Sequence, residues 1–380
     1  MNGSASTSPQ RLFFLDWLRI AAFIVLVFFH VGMYYVSWDF HVKSPFAGRW
    51  LEPWMKLTEL WRMLLLFMVS GVATAHMLKA GATGSLQRER SKQLLLPLLC
   101  GVVLVVPPQS YFEVVQKFGY AGSYLDFLGL YFTHYQGFCQ NGHCLILPTW
   151  NHLWFLPYLW VYTLVLWVLV MLRPSLLESA ARLVQPVLVG IGLMVLPIAL
   201  IFLARMTLAS RFPSTHALFG DWFNHAMYFG MFLVGAVFAS APVMWARLAL
   251  WRWPALVVAL VCWAVLVGLR PGGLSQHLVI ASLQWLAVVA AFGFAQCLLN
   301  FDHPIRQRLT QAVFPVYILH QTVIIVLTQL LLPLHWVPLI EAPILVSATF
   351  LLSYAGYELV RRISFLKPWF GLRTHSLAAP

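Results

Sequence analysis

Arg19 and His30 lie eleven residues apart in the apolar stretch "LDWLRIAAFIVLVFFHVGMYY", residues 15 to 35. Eleven steps of a helix overshoot three full turns by only about 20°, so both side chains leave the same face, about 16 Å apart along the axis. An imidazole with an ordinary pKa of about 6.5 can take a proton from a hydroxyl at neutral pH. A guanidinium offers a planar fork of donors to a phosphate or carboxylate. One helix face thus carries the parts of a general base and of an anion site. Asp16, three residues before Arg19, is spaced to pair with it within the helix. Plainer roles compete: a snorkelling Arg19 held by Asp16, and a His30 that is simply a hydrogen-bonded core histidine. The shared face weakens both.

Further polar residues interrupt apolar surroundings, where a charge costs on the order of 3 kcal/mol to insert and so marks a functional candidate. Arg62, in "ELWRMLLLFMVSGVATAHML", has Glu59 three residues before it as the expected partner, and a structural ion pair competes there with a substrate contact. The turn "QRERSKQ" concentrates Arg88, Arg90 and Lys92, either as a topology signal or as a seat for the phosphates of a donor. In "PTWNHLWFLPYLWVY", His152 and Trp154 fit an aromatic belt or a sugar-stacking site. Asp221 in "GDWFNHAMYF" and His320 in "FPVYILHQ" each fit a polar cap at a span end or a site residue. Cys139 and Cys144, in "FCQNGHCLILP", suit a disulfide if their loop is extracytoplasmic. Free thiols, or a metal site with His143, are the other readings, although zinc wants four ligands at tighter spacing. No metal is expected. Cys100, Cys262 and Cys297 read as small packing residues within spans.

The elements that must position these residues follow from composition. The 380 residues are 61% hydrophobic and 9% charged, with a mean hydropathy of +0.79. Soluble domains do not have this balance, and an all-α polytopic membrane protein does. The net charge of +12 comes from basic residues in short turns between apolar runs, so nucleic acid is not an expected partner. The polar N-terminus is short and no small-residue cleavage site follows the first apolar run, which is therefore expected to be a retained helix.

Ten runs are long enough to cross the hydrocarbon: about 12 to 36, 58 to 79, 93 to 110, 152 to 172, 186 to 206, 222 to 240, 253 to 270, 277 to 298, 311 to 333 and 341 to 361. They form one expected membrane domain over 1 to 380, with an outer loop at 111 to 151. In that loop the short aromatic segment 124 to 138 is read as interfacial or re-entrant. Counting it as an eleventh span would reverse everything downstream. With ten spans and both termini cytoplasmic, fifteen Lys and Arg residues, Arg11 among them, fall inside and seven outside. Arg19 and Arg62 within spans complete the 24. This follows the positive-inside rule; eleven spans would put the basic turns at 173 to 182, 247 to 252 and 306 to 308 outside.

Together these segments resemble the membrane acyltransferase-3 family. "LDWLRIAAFIVLVFFH" is similar to the family's Arg-x10-His first-span motif. "LLFMVSG", the basic turn leading into "LLLPLL", "NHLWFLPYL", "DWFNHAMYFGMFLVGAVFA" and "FPVYILHQ" follow in order, so the likeness runs from about residue 11 to residue 373. Within the family, "NHLWFLPYL" and "FPVYILHQ" look most like the branch that succinylates periplasmic glucans. In one departure, O-acetylase members carry an acid shortly after a His-x-Trp-x-Leu motif, whereas this chain has Leu159 near that position. Many members also carry a fused soluble domain, which is not expected here.

The resemblance implies an O-acyltransferase in the inner membrane. It would move an acyl group, succinyl or acetyl, from cytoplasmic acyl-CoA to a hydroxyl of an extracytoplasmic glucan or other glycan. His30 would be the catalytic base or acyl-handling residue and Arg19 a donor-side contact, with Arg88 and Arg90 matching the basic turn only approximately. Donor, glycan acceptor and bilayer are the expected partners, and no permanently bound cofactor is expected. The rival reading from another class is a transporter or flippase of a lipid-linked or small polar substrate. Against it stand the lack of a visible internal repeat, of Gly/Pro-broken helices in matching positions, and of mid-membrane acids for ion coupling.

Overall fold

The computed structural model describes residues 12 to 373 except 80, 82, 83, 141 and 142. Arg11, counted above among the cytoplasmic cations, and the side chain of His143 lie outside the described residues. The chain is helical nearly throughout, because hydrocarbon offers backbone N–H and C=O groups no partners and a helix satisfies them within the segment. The order is α1 (Phe13–Tyr35), α2 (Glu52–Lys79), α3 (Gly84–Cys100), α4 (Pro107–Phe118) and α5 (Tyr124–Phe132). A two-stranded hairpin of β1 (Cys139–Gln140) and β2 (His143–Cys144) follows. Then come α6 (Phe155–Leu172), α7 (Leu176–Leu188), α8 (Gly192–Leu208), α9 (Trp222–Phe238), α10 (Val243–Gly268), α11 (Gly273–Leu298), α12 (Pro304–Leu331) and α13 (Pro338–Arg362). Pro304 and Pro338 stand in the first turns of their helices, where a missing N–H costs nothing.

Among the described residues seven helices are long and apolar enough to span a membrane, and nine if two bent pairs each count once. Ten were expected, and two physical facts explain the difference. Helix α9 has 17 residues, about 25 Å of rise against about 30 Å of hydrocarbon. The expected spans at 93 to 110 and 186 to 206 are broken helices. Helix α3 runs on through a π-helical turn, Gly101–Val105, and bends by 42° where Pro107 opens α4. Helices α7 and α8 meet at 107°. Two broken helices are therefore present among the described residues. The turn "QRERSKQ" is the start of α3, not a turn. The expected outer loop at 111 to 151 holds most of α4, then α5 and the hairpin, in which Cys139 and Cys144 lie opposite each other and form a disulfide.

Helices α2 and α9 approach closely at glycines. A Cβ on Gly71 would come within 1.9 Å of the Phe232 carbonyl oxygen, and one on Gly235 within 2.0 Å of that of Met68. This is the small-residue packing that lets membrane helices touch backbone to backbone. At one end of the bundle, Asp16 on α1 is ion-paired with Arg306 on α12, whose other side pairs with Asp302 at 2.7 Å. The expected Asp16–Arg19 pair is replaced by this link across helices, and Arg19 instead donates from Nη2 to the Thr310 carbonyl at 3.3 Å. At the other end, the strap between α1 and α2 is fastened to α4. His41 meets Glu113 at 2.5 Å, Lys117 bridges Glu113 and Asp39, and Lys43 and Gln116 exchange backbone and side-chain hydrogen bonds. Of the free cysteines, Cys100 is buried, but Cys297 is exposed and so is not a core packing residue.

Candidate active site

On α1 the residues Arg19, Phe23, Leu26, His30 and Met33 recur at steps of four, three, four and three, which is one helix face. The last four of these line a cavity of about 470 Å³, a size suited to a small ligand. Glu59, Arg62, Met63 and Leu66 form the facing stripe of α2, and His152, Trp154, His216 and Tyr228 close the far side. Arg19 is not in the lining: Phe23 and Leu26 stand between it and His30. Phe23 packs edge-on to Tyr317 of α12 with ring centres 5.5 Å apart.

His30 is oriented by a second histidine. Its Nδ1 lies 2.8 Å from Nε2 of His320 on α12, and Nδ1 of His320 lies 2.6 Å from the Tyr317 carbonyl oxygen. A carbonyl only accepts, so His320 carries its proton on Nδ1 and, when neutral, presents a bare Nε2. That nitrogen must accept, so Nδ1 of His30 donates and Nε2 of His30 holds the lone pair. Among the described residues Nε2 of His30 has no hydrogen-bond partner, which leaves it available as a base. In a serine-protease triad a carboxylate fixes the imidazole in this way; here a neutral imidazole does so.

His152, expected as an acceptor contact, is buried and fully engaged. Its Nε2 donates to the Ile318 carbonyl at 3.0 Å, and Gln109 Nε2 approaches its Nδ1 at 3.4 Å. Its backbone carbonyl accepts from the Tyr317 hydroxyl at 2.6 Å. His152 thus braces the helix that carries His320. Trp154 does reach the cavity, but His216, tilted by 30°, packs on it at 4.2 Å and Tyr228 stacks at 5.4 Å, so much of its ring is already covered within the protein. The buried Asp221 lies behind the wall. It accepts from the Tyr158 hydroxyl, the Asn224 amide and the His216 backbone, and so holds the loop that brings Ser214 and His216 to the cavity. Leu159 is buried in the core.

The expected Glu59–Arg62 ion pair is not among those formed. Glu59 is exposed, whereas Arg62 is buried with its Cζ 4.0 Å from the centre of the Phe29 ring. At the opposite end, Arg88 is exposed and Arg90 half-buried on α3. Arg19 and Arg373, both cations, lie close enough to act on Arg90. A basic cluster therefore gathers at the Arg19 end from α1, α3 and the stretch after α13.

Sequence reasoning missed a buried amide network. Gln109 of α4 donates to Thr322 at 2.7 Å and accepts from Asn151 and Gln321, each at 3.1 Å. Its signal was present, a glutamine directly after the two prolines of "VVPPQSY", but a search for ionisable groups passes over amides. Among the described residues no group of three or more His, Cys, Asp or Glu is arranged to hold a metal ion.

The site thus belongs to a polytopic helical protein with a histidine-lined cavity at one end and a cationic cluster at the other. The family model described as an acyltransferase domain matches residues 12–358, and the chain belongs to that acyltransferase family. It is 28% identical over 171 residues to glucans biosynthesis protein C of Shigella boydii serotype 4 (strain Sb227) and to that of Escherichia coli (strain K12). In both cases the match covers 45% of this chain and 42% of the relative, so less than half of either protein is aligned. No solved structure matches the chain.

Proposed function

We propose that this protein is an O-acyltransferase of the inner membrane. It transfers an acyl group, succinyl or acetyl, from acyl-CoA on the cytoplasmic side to a hydroxyl of an extracytoplasmic glycan, with glucan as the favoured acceptor. The observation that carries the reading is the His320-held His30, whose free Nε2 faces a cavity remote from the cationic end. Membership of the acyltransferase family and the name of the glucan-biosynthesis relatives support the reaction and the acceptor class.

In this mechanism Arg19, Arg88 and Arg90 receive the anionic end of the donor, and its narrow thioester-bearing arm passes Phe23 and Leu26 to reach His30. The arm must displace Phe23 from Tyr317, which makes that contact the gate. An acceptor hydroxyl enters the cavity from the other end. His30 Nε2 takes its proton as the oxygen attacks the thioester carbon; the new C–O bond forms, the C–S bond breaks, and the proton passes to the departing thiolate. His320 keeps accepting from Nδ1 of His30 throughout, so the imidazolium does not turn away.

The test is H30A. The variant should reach the membrane at the parent level yet leave the envelope glycan without its acyl groups, as read by mass spectrometry. An H30A strain with normal glycan acylation contradicts the assignment.

A further inference from the structure

Arg62 is 4% exposed on the cavity face of α2, and its Nε and Nη1 are buried without a hydrogen-bond partner. Leaving buried donors unpaired costs about 1–3 kcal/mol, and more when the group is charged. Among the described residues that line the cavity, Arg62 is the sole Lys or Arg. The Phe29 ring supports it, Phe29 adjoins His30 in sequence, and Arg62 is close enough to act electrostatically on both His30 and His320. Glu59 in the same lining attracts Arg62 but forms no ion pair with it, so a cation with two unpartnered buried donors stands beside the base as a receptor for an anion.

We propose that Arg62 is a catalytic residue that donates to the thioester carbonyl oxygen as that oxygen becomes anionic. The proposal rests on the acyl-transfer reading above and adds to it the group that stabilises the intermediate. When the acceptor oxygen bonds to the carbonyl carbon and His30 removes its proton, the π pair of the C=O bond moves onto oxygen. Nε and Nη1 of Arg62 donate to this oxyanion. Collapse re-forms the C=O bond, expels the thiolate and returns Arg62 to its unpaired state. Such donors, fixed beforehand where charge develops, cannot relax away from the ground state and so act on the barrier.

The experiment compares purified parent, R62A, R62Q, R62K and H30A with acetyl-CoA and succinyl-CoA as donors and a glucan oligosaccharide as acceptor. R62A and R62Q should lose about 10²–10³ in kcat with either donor, the cost of removing an oxyanion donor, while KM for the donor stays near the parent value. Added methylguanidinium should restore part of the R62A rate. A loss confined to succinyl-CoA and expressed in KM would overturn the proposal, since Arg62 would then be holding the acyl tail. Unchanged kcat in R62Q would overturn it as well. If R62A fails to fold, R62Q and R62K, which keep the bulk of the side chain, decide by the same readouts. H30A separates the two levels: its retained activity would remove the base but leave the Arg62 result to be judged by itself.

Discussion

His30 is held by a partner 290 residues away in sequence. In the proposed mechanism His320, which accepts from Nδ1 of His30, is a positioning residue. His320→Leu should therefore lower kcat by about 10²-fold, the scale on which misplacing a catalytic group is felt, with KM nearly unchanged. His320→Gln, whose carbonyl oxygen can accept the same hydrogen bond, should recover part of the loss; equal failure of both variants would show a purely packing role. The shared face of Arg19 and His30 was legible in the sequence because helical periodicity is local. The partners of Asp16 and Arg62 were not. Spacing within one helix suggested Arg19 and Glu59, whereas packing put Arg306 against Asp16 and left Arg62 for the cavity.

Helices were legible wherever an apolar run was long, and the breaks within them were not. The span expected at 93 to 110 runs past the prolines at 107 and 108, but a π-helical turn and a bend there lead into α4, which supplies Gln109 to the buried amide network. The pairing of α2 with α9 was also hidden, because a glycine announces close approach only when its partner helix is known. That pairing holds Arg62 of α2 against the wall built by α9. Gly71→Val and Gly235→Val should each force the helices apart and cost about 1–3 kcal/mol, in the range of overpacking a tight interface. A fall in the thermal unfolding midpoint in detergent, together with lower activity, checks this; an unchanged midpoint contradicts the contact.

Across the whole molecule the two ends carry different chemistry. Cations from α1, α3 and the residues after α13 gather at one end, while the cavity, the fastened strap and the disulfide hairpin lie toward the other. Phe23 and Leu26 separate the two in the resting state. The count of basic residues suggests an orientation for these ends, and the packing adds a candidate route of about 16 Å from Arg19 to His30. The central claim is that acyl groups cross along that route to an acceptor on the opposite side. The direct measurement uses proteoliposomes of known orientation, with radiolabelled acyl-CoA on one side and a glucan oligosaccharide on the other. The glucan should become labelled only when the donor faces the Arg19 end, and not at all with H30A. Labelling that requires donor and glucan on the same side, or that persists in H30A, would contradict the account.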